Sequence, residues 1–336
     1  MITTYIIIII GVALIFDFVN GFHDAANSVA TLVATKAFPH KFWAVLWAAG
    51  FNFLAYKAIG TSGVAKTIGK DIIESSAITP TVVLSGLLGA IVWNLYTWRK
   101  GIPSSSSHAL MAGLAGAAIA YANSYTALKP DGWVLPLFFI IGAPLIGFCL
   151  SKLILWLVNG MLRRVNPKTV DKHARWFQFL SAAGFSYGHG MNDVQKTMGV
   201  ITALLVSIGY LKDFSIPTWV VFSAHGAIAL GTLCGGWRIV DTLAHKVAKK
   251  HMRPHEAFCA ETSAALCIIP ATLWKIPLST THTITGSIAG VGTAGGGLNN
   301  LYMRKLWEIF RAWILTLVVS STLAAIFLYI FTSFGL

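Results

Sequence analysis

The chain has 336 residues, 56% of them hydrophobic and only 11% charged, where a soluble domain carries about 25% charged residues. Apolar runs of spanning length, about 17–25 residues, recur from end to end and leave no room for a large soluble domain. The formal net charge of +13 falls mostly between those runs, where lysine and arginine set orientation in a membrane and do not mark a nucleic-acid partner.

In chain order, the first segment, "MITTYIIIIIGVALIFDFVN", has no basic residue ahead of its apolar run and no small-residue cleavage pattern, so it reads as a retained span. Apolar segments follow the ranges 3–20, 22–36, 42–60, 80–99, 104–124, 133–160, 176–188, 191–210, 216–235, 256–274, 279–296 and 309–334. Several are too short to cross alone. The expected fold is an all-α polytopic membrane protein of about 10–12 membrane segments. Cys149, Cys234, Cys259 and Cys267 form no Cys-x-x-Cys pair and read as small core residues. "GTAGGGLNN" (292–300) reads as a flexible loop, and His225 and Asn94 as packing residues.

The chain repeats itself. "GIPSSSSHALMAGLAG" (101–116) returns as "KIPLSTTHTITGSIAG" (275–290), 174 positions later. Pro103 matches Pro277, Ser105 matches Ser279, Ser106 and Ser107 match Thr280 and Thr281, and His108 matches His282. "NGFHDAANS" (20–28) returns as "HGMNDVQKT" (189–197), at an offset of 169. Gly21 matches Gly190 and Asp24 matches Asp193. Two pairs in one order at nearly one offset indicate a duplication, divided here into 1–160, a basic cytoplasmic linker at 161–176, and 177–336.

Charge orients the halves. The junction "MLRRVNPKTVDKHAR" and the loop "WRIVDTLAHKVAKKHMRPH" (237–255) each hold five Lys/Arg, whereas the first-half counterpart of that loop, "SGVAKTIGKDIIESS" (62–76), balances two lysines with Asp71 and Glu74. Equivalent loops on opposite faces would differ in this way, so the repeats are expected to be inverted, with both termini outside.

Each serine motif directly follows a long apolar run, as the tip of a re-entrant helical hairpin would. Irregular backbone survives at membrane depth only against protein or a watery cavity. Proline ends the incoming helix, and serine or threonine caps the outgoing one. The first amides of that helix have no internal partner and lie at the positive end of its dipole. Ser104, Ser105, Ser106 and Ser107, with Ser279, Thr280 and Thr281, would thus surround one tetrahedral oxyanion with donors. Asp24 and Asp193 sit inside apolar runs, beside Asn20, His23 and Asn27 in one copy and His189, Asn192 and Gln195 in the other. A carboxylate repels an anion, so the pair makes sense with a cation between acid and substrate: sodium held by Asp24 and Asp193, or a proton. Glu261 is a further buried acid. A serine hydrolase using His108 or His282 as base would explain the Ser–His adjacency but not the duplication, so no enzyme is expected.

"NGFHDAANSVAT" with "SYGHGMNDVQKTMGVI", "IPSSSSH" with "IPLSTTH", and "GTLCGGWRIVDTL" (231–243) resemble the paired signatures of the inorganic phosphate transporter (Pit) family. The resemblance covers both halves. It implies an inverted-repeat secondary transporter in the plasma membrane, working as a homodimer without a cofactor. Inorganic phosphate, free or as a metal–phosphate, would move by cation-coupled symport and alternating access, with sulfate or another oxyanion as the alternative cargo. It implies that Asp24, Asn27, Asn192 and Asp193 serve coupling, that Glu261 matches a family carboxylate, and that Ser105, Ser106, Ser107, Ser279, Thr280 and Thr281 hold phosphate; Asn20 and His23 are expected to assist coupling. Sodium-coupled relatives carry asparagine where this chain has Lys196, so the expected co-transported cation is H+, with Na+ as the alternative.

Overall fold

The computed structural model describes residues 3–58 and 62–335. These residues form twelve α-helices, and the only β pairing among them is two isolated bridges. The first half comprises α1 (Thr4–Ala34), α2 (Lys41–Leu54), α3 (Gly63–Lys66, running on in wider turns to Asp71), α4 (Pro80–Lys100), α5 (Ser106–Ala122) and α6 (Pro130–Leu162). The second comprises α7 (Pro167–Ser207), α8 (Thr218–Cys234), α9 (Trp237–His245), α10 (Pro254–Leu273), α11 (Thr280–Gly292) and α12 (Met303–Ser333). Each half therefore runs long helix, bent pair, hairpin, long helix.

Five helices are long and apolar enough to cross a membrane: α1, α4, α6, α10 and α12. The bent pairs α2–α3 and α8–α9, angled at 83° and 68°, raise the number to seven. The chain is thus an integral membrane protein, with five to seven membrane-capable spans among the described residues. The segments expected at 3–20 and 22–36 are one helix, α1, and those at 176–188 and 191–210 lie within α7. Gly21 and Gly190 do not break these helices; they let neighbours touch. A Cβ on Gly21 would lie 2.1 Å from the Ile228 carbonyl oxygen on α8, and one on Gly190 would lie 2.5 Å from that of Asn52 on α2. The stretches taken as loops at 62–76 and 237–255 contain α3 and α9. The segment set at 161–176 is helical except over 163–166.

Local chemistry sets the helix ends. Thr79 accepts from the Val82 amide at 3.3 Å with Pro80 in the first turn, and Arg253 N–H donates to Glu256 at 3.0 Å ahead of α10. Helix α4 ends at Gly101, whose φ of +65° is left-handed, and Pro103 blocks continuation. Lys275 holds the equivalent place after α10 with φ +66°, a conformation that costs a side-chain-bearing residue about 1–2 kcal/mol. Helices α4 and α5 form one hairpin, packed where Gly86 meets Leu114. Helices α10 and α11 form the other, joined by Ser263 and Ser287 hydroxyls 2.8 Å apart. At 13 residues, α11 is about 20 Å long, too short for a hydrocarbon core of about 30 Å.

Two apolar clusters fill the interior, and α1 and α7 run through both. Helices α6 and α12 turn Phe138, Ile141, Leu145 and Val318 outward, as lipid-facing helices do.

Gly101→Ala adds a Cβ at positive φ, 3.1 Å from the Arg238 carbonyl oxygen. It is expected to destabilise the protein by about 1–2 kcal/mol, read as a lowered unfolding temperature in detergent.

Candidate functional site

The two elbows, at 101–105 and 275–279, come together against the middles of α1 and α7. At each, a serine caps the outgoing helix: Ser105 accepts from the His108 amide and Ser279 from the His282 amide, both at 3.3 Å. The cap uses the hydroxyl oxygen and leaves the O–H free to donate. The rings of His108 and His282 face each other, centroids 5.0 Å apart, and His282 stacks on Trp313 at 3.9 Å. Trp313 in turn donates its indole N–H to the Pro103 carbonyl at 3.0 Å, fixing the first elbow.

Two sets of polar contacts run crosswise between the halves. Asn27, on α1 of the first half, donates its side-chain N–H to Thr281 at 2.9 Å and to Thr280 at 3.3 Å, on the second elbow. Lys196, which holds the matching place on α7, donates to Ser107 on the first elbow and sits 2.5 Å from Asp193 Oδ1. Asp24 accepts from Ser106 at 3.4 Å and lies 2.7 Å from His23 Nδ1. The other ring nitrogen of His23 meets Thr97 at 3.1 Å and Ser104 at 3.3 Å, and Ser104 donates to Thr97 at 2.9 Å. Ser104 therefore braces α4 against α1 at the edge of the elbow. Behind Asp193, His189 Nε2 stands 3.3 Å from Oδ2, while its Nδ1 meets Asn52 at 3.1 Å. Asn52 donates to Thr232 at 3.0 Å, and Asn192 donates to Thr272 at 2.8 Å.

Every one of these groups is buried; Lys196 is 1% and Asp193 0% exposed. Charges so placed persist only as partners. Asp24, His189 and Asp193 can each offer one ligand atom, all within 4.8 Å of one another. Asn20 Oδ1, Asn27 Oδ1, Asn192 Oδ1 and Asp193 Oδ2 have no hydrogen-bond partner among the described residues. Hard oxygen donors of this kind suit a hard cation. Lys196 already occupies Asp193 Oδ1.

Of the residues singled out in the sequence, Asn20, His23, Asp24, Asn27, Asn192, Asp193, Lys196 and both elbows gather here. Glu261 belongs to another cluster: Ser181 donates to its Oε2, Gln178 donates to Oε1 at 3.4 Å, and Thr35 donates to Gln178 at 3.0 Å. Thr97, Asn52, Thr232, Thr272 and Trp313 complete the site and were not picked out. Asn52 alone carried a signal, as a lone amide within the apolar run "AAGFNFLAY". Among the described residues, no serine hydroxyl is hydrogen-bonded to His108 Nδ1 or to either ring nitrogen of His282, the two histidines that the hydrolase reading would use as base.

The fold is that of a helical integral membrane protein. A phosphate transporter family model matches residues 20–171 and 161–324. The chain is 46% identical over 319 residues to a protein of Rhizobium meliloti (strain 1021) named "Probable low-affinity inorganic phosphate transporter", covering 95% of this chain and 94% of that one. It is 41% identical to a protein of the same name from Bacillus subtilis (strain 168), covering 96% of each. The chain belongs to the phosphate transporter family. A solved structure described as "The sodium-dependent phosphate transporter" shares the fold, with a TM-score of 0.88 and 21% identity, covering 98% of this chain and 99% of that one. Its relatives are transporters, not enzymes.

Removing one partner of a buried ion pair strands the other. Asp193→Asn is expected to destabilise the protein by about 3–5 kcal/mol, and the double change Asp193→Asn with Lys196→Met to restore most of that loss, measured by unfolding of purified protein.

Proposed function

We propose that this chain carries inorganic phosphate across the plasma membrane by proton-coupled symport. The observation that carries the reading is the crossed pair of contacts, Asn27 to Thr281 and Lys196 to Ser107. Each acidic helix reaches the elbow of the other half, so both elbows present their hydroxyls and first helical amides to one place. Unpartnered N–H groups at the positive end of a helix dipole, with hydroxyl donors beside them, bind an oxyanion without a fixed positive charge. Phosphate keeps a proton at neutral pH and can donate to a facing carboxylate, which sulfate cannot; Asp24 beside Ser106 offers that acceptor.

The halves are inverted in this reading, each hairpin is re-entrant, and both termini lie outside. Phosphate sits near the midplane, and opposite rocking of the two elbow-bearing units opens the site to each side in turn. Asp24, Asp193 and the histidines beside them exchange the coupling proton. Lys196 supports protons over sodium, because its ammonium holds the carboxylate oxygen that a sodium would need. A sodium reading has one observation in its favour, the convergence of Asp24, His189 and Asp193, which would hold the ion as cargo on the opposite side of Asp193 from the lysine.

Purified protein in liposomes is expected to accumulate labelled phosphate when an inward proton gradient is imposed in sodium-free buffer. Equal uptake with and without proton or sodium gradients refutes coupling. Lys196→Asn restores the second asparagine of the repeat and is expected to move the dependence toward sodium; a variant still driven only by protons removes the assigned role of Lys196. Ser107→Ala and Thr281→Val, changed together, are expected to lower uptake at least about tenfold, since each deletes a donor worth about 1.5–3 kcal/mol to a charged group.

A further inference from the structure

The repeat builds one cradle twice, with reversed charge. In the first half, Ile73 bridges to Leu128, the Glu74 amide donates to the Ala127 carbonyl at 2.8 Å, and the Lys129 amide donates to that of Ile72 at 3.1 Å. In the second, Ala248 bridges to Leu301, the Lys249 amide donates to the Asn300 carbonyl at 2.7 Å, and the Tyr302 amide donates to that of Val247 at 3.1 Å. Each bridge frames an open cleft, of about 640 Å³ in the first half and about 690 Å³ in the second. Two residues before the bridge stand Asp71 in one copy and Lys246 in the other; one residue after, Glu74 and Lys249; three after the partner strand, Asp131 and Arg304. Three acids in one copy correspond to three bases in the other, although Lys129 and Lys275 also line the first-half cleft.

The clefts lie at opposite ends of α10. Trp274 and Lys275, just past its C-terminus, line the acidic one; Lys249, just before its N-terminus, lines the basic one. Twenty residues of helix separate them, about 30 Å, the depth of a bilayer core. The basic cleft is on the face that also carries Arg163 and Arg164, because Arg253 reaches from the start of α10 to Asp171 and the Pro167 carbonyl at the start of α7.

The basic cleft, whose lining includes Glu308, is neutralised only in part. Lys246 pairs with Asp241 at 2.6 Å and Lys305 with Glu308 at 2.9 Å. Lys249 and Arg304 have no carboxylate partner among the described residues; Lys249 lies 5.9 Å over the Tyr302 ring instead. Its first-half mirror image is closed differently, with Lys129 3.7 Å from Glu74. The rim of the basic cleft is apolar and exposed at Leu298, Met303 and Tyr302, and it continues onto the lipid-facing side of α12 at Trp307, which is 60% exposed. Aromatic side chains at that level mark the membrane interface.

We infer that this second-half cleft binds a phosphate-bearing anion at the cytoplasmic face, through Lys249 and Arg304 with Lys246 and Lys305 at its edges. The anion is supplied by a lipid headgroup or by free phosphate. Basic pockets between spans on this side take anionic headgroups, and the apolar rim beside Trp307 is where acyl chains of such a lipid would run. The site is separate from the transport elbows, so it stands whatever cation drives transport.

The test titrates intact, detergent-purified protein with mixed micelles of phosphatidylglycerol, with mixed micelles of phosphatidylcholine, and with inorganic phosphate, following unfolding temperature and bound lipid by native mass spectrometry. Lys249→Gln with Arg304→Gln is expected to weaken the anion's binding about thirtyfold, from the loss of two basic groups near the surface. Lys249→Arg keeps the charge and keeps binding, which separates loss of the site from loss of folding. Arg163→Gln with Arg164→Gln, on the same face, leaves binding unchanged. Phosphatidylglycerol stabilisation lost in the double variant assigns the cleft to lipid; phosphate stabilisation lost there assigns it to free phosphate. Either supports the proposal. Equal affinity of the double variant and the parent for both anions, or an equal loss in the Arg163/Arg164 pair, overturns it.

Discussion

An ammonium and a carboxylate, both shut away from water, impose the first condition on this molecule. Lys196 and Asp193 sit 2.5 Å apart at the centre of the helical bundle, and neither can be neutralised by solvent. The desolvation of each is recovered only by the other and by fixed donors around them. Ser107 accepts from the ammonium, His189 stands beside the carboxylate, and Asn52 holds the other ring nitrogen of His189; the three come from different helices. The position of α7 against α2 and α5 is therefore dictated by charge as much as by packing. Gly190 then permits the closeness the charges need, since any side chain there would collide with α2.

The elbows answer a related demand. A helix that stops inside a membrane exposes amides with nowhere to go. Here Ser105 and Ser279 satisfy one amide each, and the indole of Trp313 satisfies a carbonyl of the incoming limb. The hydroxyls of Ser106, Ser107, Thr280 and Thr281, in the first turns of α5 and α11, meet Asp24, Lys196 and Asn27 from α1 and α7. In the proposed reading, the atoms that end and start these helices are also the ones that would hold the oxyanion, which is why so short a sequence pattern carries so much information.

Much of this was legible in the sequence. The duplicated "IPSSSSH" and "IPLSTTH" gave the hairpins, because proline and hydroxyl residues have few reasons to adjoin in an apolar chain. The paired aspartates marked the two segments that face the elbows. Helix boundaries followed proline and threonine caps closely, as at Pro80 and Pro254. The continuity of α1 and α7 was not legible: glycine in a polar stretch reads as a break, and only the neighbours Ile228 and Asn52 reveal it as a contact. Thr97, Thr232 and Thr272 were hidden for another reason. A threonine in an apolar helix can bond its own backbone, and only tertiary structure shows which ones also serve a histidine or an asparagine.

The crossed bonds from Asn27 to Thr281 and from Lys196 to Ser107 have a bearing on ancestry. A protein of half this length, with one acidic helix and one elbow, would form such bonds only with a second copy of itself. On the proposed inverted arrangement, that copy must enter the bilayer the other way up. A single gene would then have made subunits of both orientations, and fusion fixed one of each in a single polypeptide. Once joined, the two copies would no longer have had to remain identical, and in this chain they differ at that very contact, with Asn27 in one and Lys196 in the other.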